Sequence, residues 1–254
     1  MNVLIKIEYD GINYAGWQYQ PNKRTIQGEI EKALHQILQT KIRIIGAGRT
    51  DAGVSALSQV ANFYLDDKFL SGSVKNSLHK LQKSLNSILP EDISIKSIGI
   101  VADDFNARYS AQSKIYQYRI ITTVSPLRKR FAWIIPDKID LNKMRLAAKL
   151  FLRQTNYSAF CHTKDKYSKI KIKSLKIVKT SNSIFGGNKQ DEIIIRIEAK
   201  RFLYKMVRRI VGALVDFSRG KISERDIKNS FRGIKHHPII CAPANGLLLL
   251  KVKY

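Results

Sequence analysis

Lys41-Ile42-Arg43-Ile44-Ile45-Gly46-Ala47-Gly48-Arg49-Thr50-Asp51-Ala52-Gly53-Val54 is the stretch on which the reading of this chain turns. Its first five residues alternate apolar and basic, as a strand with one buried face would, and Gln59 to Leu65 reads as a second strand. Asp51 therefore sits on a strand-to-strand connection. Glycines at 46, 48 and 53 permit positive φ or close approach of another chain, so the loop can press against a ligand. A carboxylate between glycines with the planar cation of Arg49 two residues away is poorly suited to core packing. For an arbitrary loop of this kind the alternative is an Asx-turn beside a solvated arginine.

Working outward, the N-terminal side reads as a strand, Leu4 to Glu8, turns at Gly11 and Gly16, and a helix beginning near Thr25. Ile26, Ile30, Ala33, Leu34, Ile37 and Leu38 give that helix one apolar face. After Gln59–Leu65 a second helix carries Val74, Leu78, Leu81, Leu85 and Ile88 and is stopped by Pro90. Ile93 to Ile100 closes the block as a strand. The order is close to a ferredoxin-like unit with helices on one face of an antiparallel sheet.

The second block opens with a strand from Lys114 to Ile121 and a charged loop, Ser125 to Arg130. A helix follows, capped by Asp140 and burying Leu141, Met144, Ala148 and Phe151. Strands are predicted at Ile170–Thr180 and Glu192–Ala199, with a turn at Phe185-Gly186-Gly187-Asn188. Leu203 to Ser218 reads as a helix whose Met206, Val207, Ile210, Val211, Leu214 and Val215 face the core, ended by Gly220. A short helix from Ser223 and a strand at Leu247–Val252 complete the block. The expected division is 1–104 and 105–254. The fold class is α+β, two ferredoxin-like halves joined into a continuous, mainly antiparallel sheet with a central cleft. The similar order of the blocks suggests a duplication without a residue-level repeat.

Composition points to an anionic partner. Lys+Arg number 45 against 20 Asp+Glu, a formal net charge of +25. Nucleic-acid phosphates are the common answer to such a surface, because each one neutralised releases counterions. A lysine-preferring genome would also produce a solvated cationic face. The lysines are spread along the chain rather than held in one tail. No run approaches about eighteen consecutive apolar residues, and the N-terminal residues read as a strand rather than a signal sequence, so a soluble, cytoplasmic protein is expected. Cys161 and Cys241 lack CxxC spacing and read as buried or idle thiols. His35, His79, His162, His236 and His237 lack metal-binding spacing, and His236-His237-Pro238 reads as a loop near phosphate or solvent. No metal is assigned.

The order Gly48-Arg49-Thr50-Asp51-Ala52-Gly53-Val54 resembles the catalytic loop of the bacterial tRNA pseudouridine synthase A family. Glu8-Tyr9-Asp10-Gly11 with Tyr14-Ala15-Gly16-Trp17-Gln18 is similar to that family's opening strand and turn. Asn106-Ala107-Arg108-Tyr109-Ser110-Ala111, with Tyr116 and Tyr118 beyond, resembles its tyrosine-bearing segment. Phe202-Leu203, Met206-Val207-Arg208 and Ile210-Val211-Gly212 resemble its basic helix, and Gly246-Leu247, Val252 and Tyr254 its closing strand. These matches span nearly the whole chain in order.

The resemblance implies an isomerase that converts uridine to pseudouridine at positions 38, 39 and 40 of the tRNA anticodon stem-loop after flipping the base. It uses no cofactor and works as a homodimer in which each RNA touches both subunits. Asp51 is implied as the nucleophile or the group that assists glycosidic cleavage. Tyr116 is selected over Tyr118 to stack on the base, a phenol offering an aromatic face and a hydroxyl; aromatics on a half-buried strand also have an ordinary core role. Arg208 is implied as the inward guanidinium that keeps Asp51 ionised, with Arg209 and Lys205 as phosphate contacts. Both arginines could instead lie on the polar face. Arg49 is read as filling the gap left by the flipped base or holding its phosphate. Ser55 stands where the family usually has His, which implies altered affinity rather than lost chemistry. Alternatives are a related synthase with another RNA target, or a non-catalytic basic RNA-binding protein.

Overall fold

A computed structural model of the chain describes residues 1–66, 69, 73–162, 169–182, 190–234 and 238–254. Among them nine strands, mostly antiparallel, and five α-helices make an α+β fold, the class read from the sequence. Two compact units divide it, Met1–Gln112 with Leu249–Tyr254, and Ser113–Leu248.

In the first unit β1 (Asn2–Tyr9) lies between β3 (Ser55–Tyr64) and β4 (Ile93–Val101), antiparallel to both. Val3, Ile5 and Ile7 alternate as the buried face of β1, the period-two pattern of a half-buried strand. Helix α1 (Ile26–Leu38) starts where Thr25 accepts a hydrogen bond from the Gly28 N–H at 3.2 Å. Its stripe of Ile26, Ile30, Ala33, Leu34 and Leu38 is buried. Full burial of each large aliphatic side chain there is worth roughly 1.5–3 kcal/mol. Helix α2 (Val74–Ile88) buries Leu78, Leu81 and Leu85, while Val74 and Ile88 at its two ends stay exposed. β9 (Leu247–Lys253) lies beside β3 on the side away from β1.

The strand expected from Lys41 shrinks to β2, two residues at Ile45–Gly46 paired with Asn62 and Ala61. The reason lies on α1. The Glu31 carboxylate accepts the Ile44 N–H at 3.0 Å and the Gln27 amide donates to the Ile44 carbonyl at 3.4 Å, so side chains take the backbone groups a strand partner would have used. β3 begins four residues earlier than expected because the Val54 N–H closes a turn on the Asp51 carbonyl, 3.2 Å, and the chain re-enters the sheet at once.

Residues 105–112, assigned by sequence to the second half, belong to the first unit. Asn62 accepts the Ala107 N–H at 2.9 Å, the Asn2 amide donates to the Phe105 carbonyl at 2.8 Å, and the Tyr254 hydroxyl donates to the Ala107 carbonyl at 2.8 Å.

The second unit orders its strands β5 (Ser113–Ile121), β8 (Gln190–Ala199) and β7 (Ile172–Asn182), antiparallel throughout, with the short β6 (Trp133–Ile134) parallel to β5. Helix α3 (Leu141–Leu152) buries Met144, Ala147, Ala148 and Phe151, and Leu141 is half-buried. Phe151, Tyr157, Phe160 and Phe231 form one aromatic cluster with ring centroids 5.0–6.5 Å apart.

Helix α4 (Met206–Ser218) starts three residues later than predicted. Lys205, at φ 59°, takes a left-handed conformation that breaks the helical path, and the Met206 N–H bonds to the Leu203 carbonyl in a separate turn. All six predicted core positions of α4 are buried, and Gly220 follows its end at φ +72°. Helix α5 (Glu224–Arg232) opens with a reciprocal cap between Ser223 and Asp226. The predicted Phe185–Asn188 turn and the His236-His237 pair lie outside the described residues.

Asp140 caps α3 by accepting the Asn142 and Lys143 N–H groups at 2.9 and 3.0 Å. Those backbone bonds, that to Lys143 first, hold its carboxyl below the ordinary value. A depressed carboxyl contributes stability above its unfolded pKa and loses it as pH falls through the folded one. The thermal midpoint of Asp140→Ala should therefore fall below that of the native chain at pH 7, and the gap should close as pH drops below the carboxylate range.

Candidate active site

The loop from Gly46 to Val54 is fixed from beneath by the first β-strand and the turn after it. The Tyr9 hydroxyl and the Thr50 hydroxyl share a buried hydrogen bond of 2.8 Å. The Trp17 N–H donates to the Thr50 carbonyl at 3.1 Å, and the Gly53 N–H to the Tyr14 carbonyl at 3.3 Å. From β3, the fully buried Gln59 donates its amide to the Gly48 carbonyl at 2.9 Å. Thr50, one residue before Asp51, is thereby held by side chain and backbone at once. Burial pushes the Tyr9 phenol far above its ordinary pKa, so it stays protonated as the loop's hydrogen-bonding partner.

Asp51 itself is half-buried on this platform, with Gly53 completing the turn at φ +77°. Gly11 comes so close that a Cβ there would meet the Val54 carbonyl oxygen at 2.0 Å. Ser55 is buried, its hydroxyl accepting the Gly11 N–H at 3.0 Å and donating to Asp10 at 3.3 Å. The Ser55 side chain is thus a short tie between the loop and the opening turn.

Arg49 is exposed, and its direction is set by a relay. Its Nε donates to Gln18 at 3.0 Å, the Gln18 amide to Gln27 at 2.8 Å, and the Gln27 amide to Glu31 at 2.8 Å. The guanidinium is therefore posed by α1 while its remaining N–H groups face outward, an arrangement suited to an anion.

In the second unit Tyr116 is buried with its ring edge-on to Phe202 at 5.1 Å. Tyr118 on the same face of β5 is fully buried and donates its hydroxyl to the Pro243 carbonyl at 2.8 Å. Burial raises its pKa far above the ordinary value, against the opposing charge of nearby Arg208. Arg208 is half-buried and clamped in place, its Nε donating to the Ala242 carbonyl at 2.7 Å while the Ala242 N–H returns a bond to the Arg208 carbonyl at 3.1 Å. A guanidinium so held loses little further freedom when it meets a carboxylate or a phosphate.

Arg209 is half-exposed with its Nε buried and without a hydrogen-bond partner among the described residues. Lys205, at the left-handed start of α4, holds its ammonium 5.1 Å from the Tyr204 ring centre. Sequence reasoning named Asp51 and Arg49 in one unit and Tyr116, Lys205, Arg208 and Arg209 in the other. It missed Tyr9, Thr50, Gln59 and Gly11 as the supports of the loop. The signal was the run Tyr9-Asp10-Gly11, in which a tight turn directly after a strand demands a close neighbour.

Tyr9→Phe should leave the buried Thr50 hydroxyl short of a partner, at a cost of about 1–2 kcal/mol. Because Thr50 adjoins Asp51, kcat should fall about tenfold or more while KM stays within about twofold. Steady-state kinetics beside thermal unfolding measures both.

Among the described residues no group of three or more His, Cys, Asp or Glu side chains is arranged to hold a metal ion. No described helix is long and apolar enough to cross a membrane. Neither Cys161 nor Cys241 is in a disulfide among the described residues.

The chain thus has an α+β fold of two units, with a propped acidic loop in one and a clamped arginine near the buried Tyr118 in the other. The family model described as tRNA pseudouridine synthase matches residues 5–110 and 147–254, and the chain belongs to that family. It is 39% identical over 263 residues, covering all of both chains, to tRNA pseudouridine synthase A of Thermodesulfovibrio yellowstonii. To the protein of that name from Thermoanaerobacter sp. it is 38% identical over 256 residues, 100% of this chain and 99% of the relative. To tRNA pseudouridine synthase A 2 of Bacillus cereus it is 35% identical over 257 residues, again 100% and 99%.

Proposed function

We propose that the protein isomerises uridine to pseudouridine at positions 38–40 of the tRNA anticodon arm, with Asp51 as the reacting carboxylate. The tRNA-directed isomerase activity is that of its family. The observation that carries the finer reading is the loop itself: Asp51 stands half-buried and reachable on a platform whose other members are buried and bonded. Rigid support with an accessible carboxylate suits a group that acts on substrate.

The reaction breaks the N1–C1′ bond, turns the base, forms a C5–C1′ bond, gives the C5 proton to solvent and leaves a proton on N1. Oxidation state is unchanged, so the residues need to supply charge, orientation and proton transfer only. Asp51 acts on the ribose or the base once the nucleotide has left the stack. Arg208, held by its bonds to Ala242, supplies a positive charge toward the reacting nucleotide. The Tyr116 ring borders the detached base, and its hydroxyl can orient or move a proton. Arg49, aimed outward by the Gln18–Gln27–Glu31 relay, takes the place of the flipped base or binds its phosphate. Lys205 and Arg209 contact the backbone. The enzyme works as a cytoplasmic homodimer.

The test is nucleotide-resolution mapping of pseudouridine in unmodified tRNA transcripts carrying uridine at 38, 39 or 40. Formation there and at no other uridine is expected. Formation only elsewhere would mean a related synthase with another target, and none at all with tight binding would mean a binding protein.

A further inference from the structure

Helix α5 carries a second cationic surface that none of the chemistry above uses. Its inner side, Ile227, Ser230 and Phe231, is buried. Its outer side presents Arg225, Lys228, Asn229 and Arg232, which with Glu224 and Ile234 line a groove of ≈ 490 Å³. Lys228 pairs with Glu224 at 2.6 Å. Arg225 and Arg232 have no ion-pair or hydrogen-bonding partner for their guanidinium groups among the described residues.

In a chain of net charge +25 an unpaired arginine alone means little. Here the two converge on one groove, with three cations against one carboxylate. They are seven residues apart, so they share a face at about 10 Å along the axis. At that separation the two guanidinium groups can each meet a different phosphate of one strand, two contacts in all. The lining has one aliphatic side chain and no aromatic, which offers no platform for stacking a base. Such a surface tracks a backbone and reads no sequence.

We propose that the α5 groove is an auxiliary binding site for the sugar-phosphate backbone of tRNA, acting through Arg225 and Arg232. This rests on the reading of the protein as a tRNA enzyme. The site strengthens KM and leaves kcat unchanged.

The test compares Arg225→Gln/Arg232→Gln with the native chain and with a control, Lys75→Ala/Lys80→Ala, which removes two exposed charges from α2. Binding of an unmodified full-length tRNA transcript is measured across a salt series. Loss of two phosphate contacts should make the slope of log K against log salt shallower by about 1.5 and weaken binding about tenfold at 0.1 M. The control should lose less than half as much, and Arg225→Lys/Arg232→Lys should recover most of the slope. An unchanged slope in the groove variant, or an equal loss in the control, would overturn the proposal. Binding is read independently of turnover, so absence of pseudouridine formation would count against the catalytic reading and leave this result standing.

Discussion

Asp51→Asn is expected to abolish pseudouridine formation, lowering the single-turnover rate by at least about 10⁴-fold, while tRNA affinity stays within a few-fold of the native value. The change is nearly isosteric, so the turn closed by the Val54 N–H on the Asp51 carbonyl survives it. Thr50, Trp17 and Gln59 hold the loop through groups the substitution does not touch. What disappears is the negative charge and its capacity to act on the sugar or base, and removal of a reacting group commonly costs several orders of magnitude. A protein that only binds RNA would respond in the opposite sense, since losing a negative charge near phosphates leaves affinity equal or improved. Quantifying pseudouridine by nucleoside analysis, next to a binding curve, separates the two.

Gly11→Ala should be the most damaging single methyl in the first unit. The added Cβ would sit 2.0 Å from the Val54 carbonyl oxygen and 2.5 Å from its carbon, both backbone atoms that no side-chain rotation can clear. Either the Asp10–Gly11 turn or the end of the Asp51 loop has to move. Movement would also break the Gly11 N–H bond to Ser55. The expected cost is about 2–4 kcal/mol of stability, in the range of overpacked cores. Misplacing Asp51 by about an ångström should further lower kcat on the order of a hundredfold. Thermal unfolding and kinetics at a temperature where the variant is folded measure the two separately. A variant with native stability and native kcat would mean that this close approach does not position the loop.

Much of the fold could be read from period alone. Ile26, Ile30, Leu34 and Leu38 announce α1, and Asp140 and Ser223 mark helix starts by the chemistry of their side chains. The failures have local causes. Lys41 to Ile44 alternates like a strand, but Gln27 and Glu31, more than ten residues upstream, satisfy Ile44 instead. Leu203 to Lys205 matches the helical stripe of α4, but a left-handed Lys205 is a backbone choice that apolar spacing does not encode. At the site, Asp51 stood out because a carboxylate among glycines has no core role. Its supports did not, because Tyr9 and Thr50 are 41 residues apart and each reads as an ordinary strand or loop residue. Ser55 became informative only through its bonds to Gly11 and Asp10. The groove on α5 needed both the helix and knowledge of which cations are already paired.

The most direct measurement uses unmodified tRNA labelled with tritium at uridine C5, because forming the C5–C1′ bond must expel that atom. The expected result is release of label by the native chain, with none by Asp51→Asn bound to the same tRNA. Equal release by both proteins, or no release by the native chain on a tRNA that it binds, would contradict an isomerase that works through Asp51.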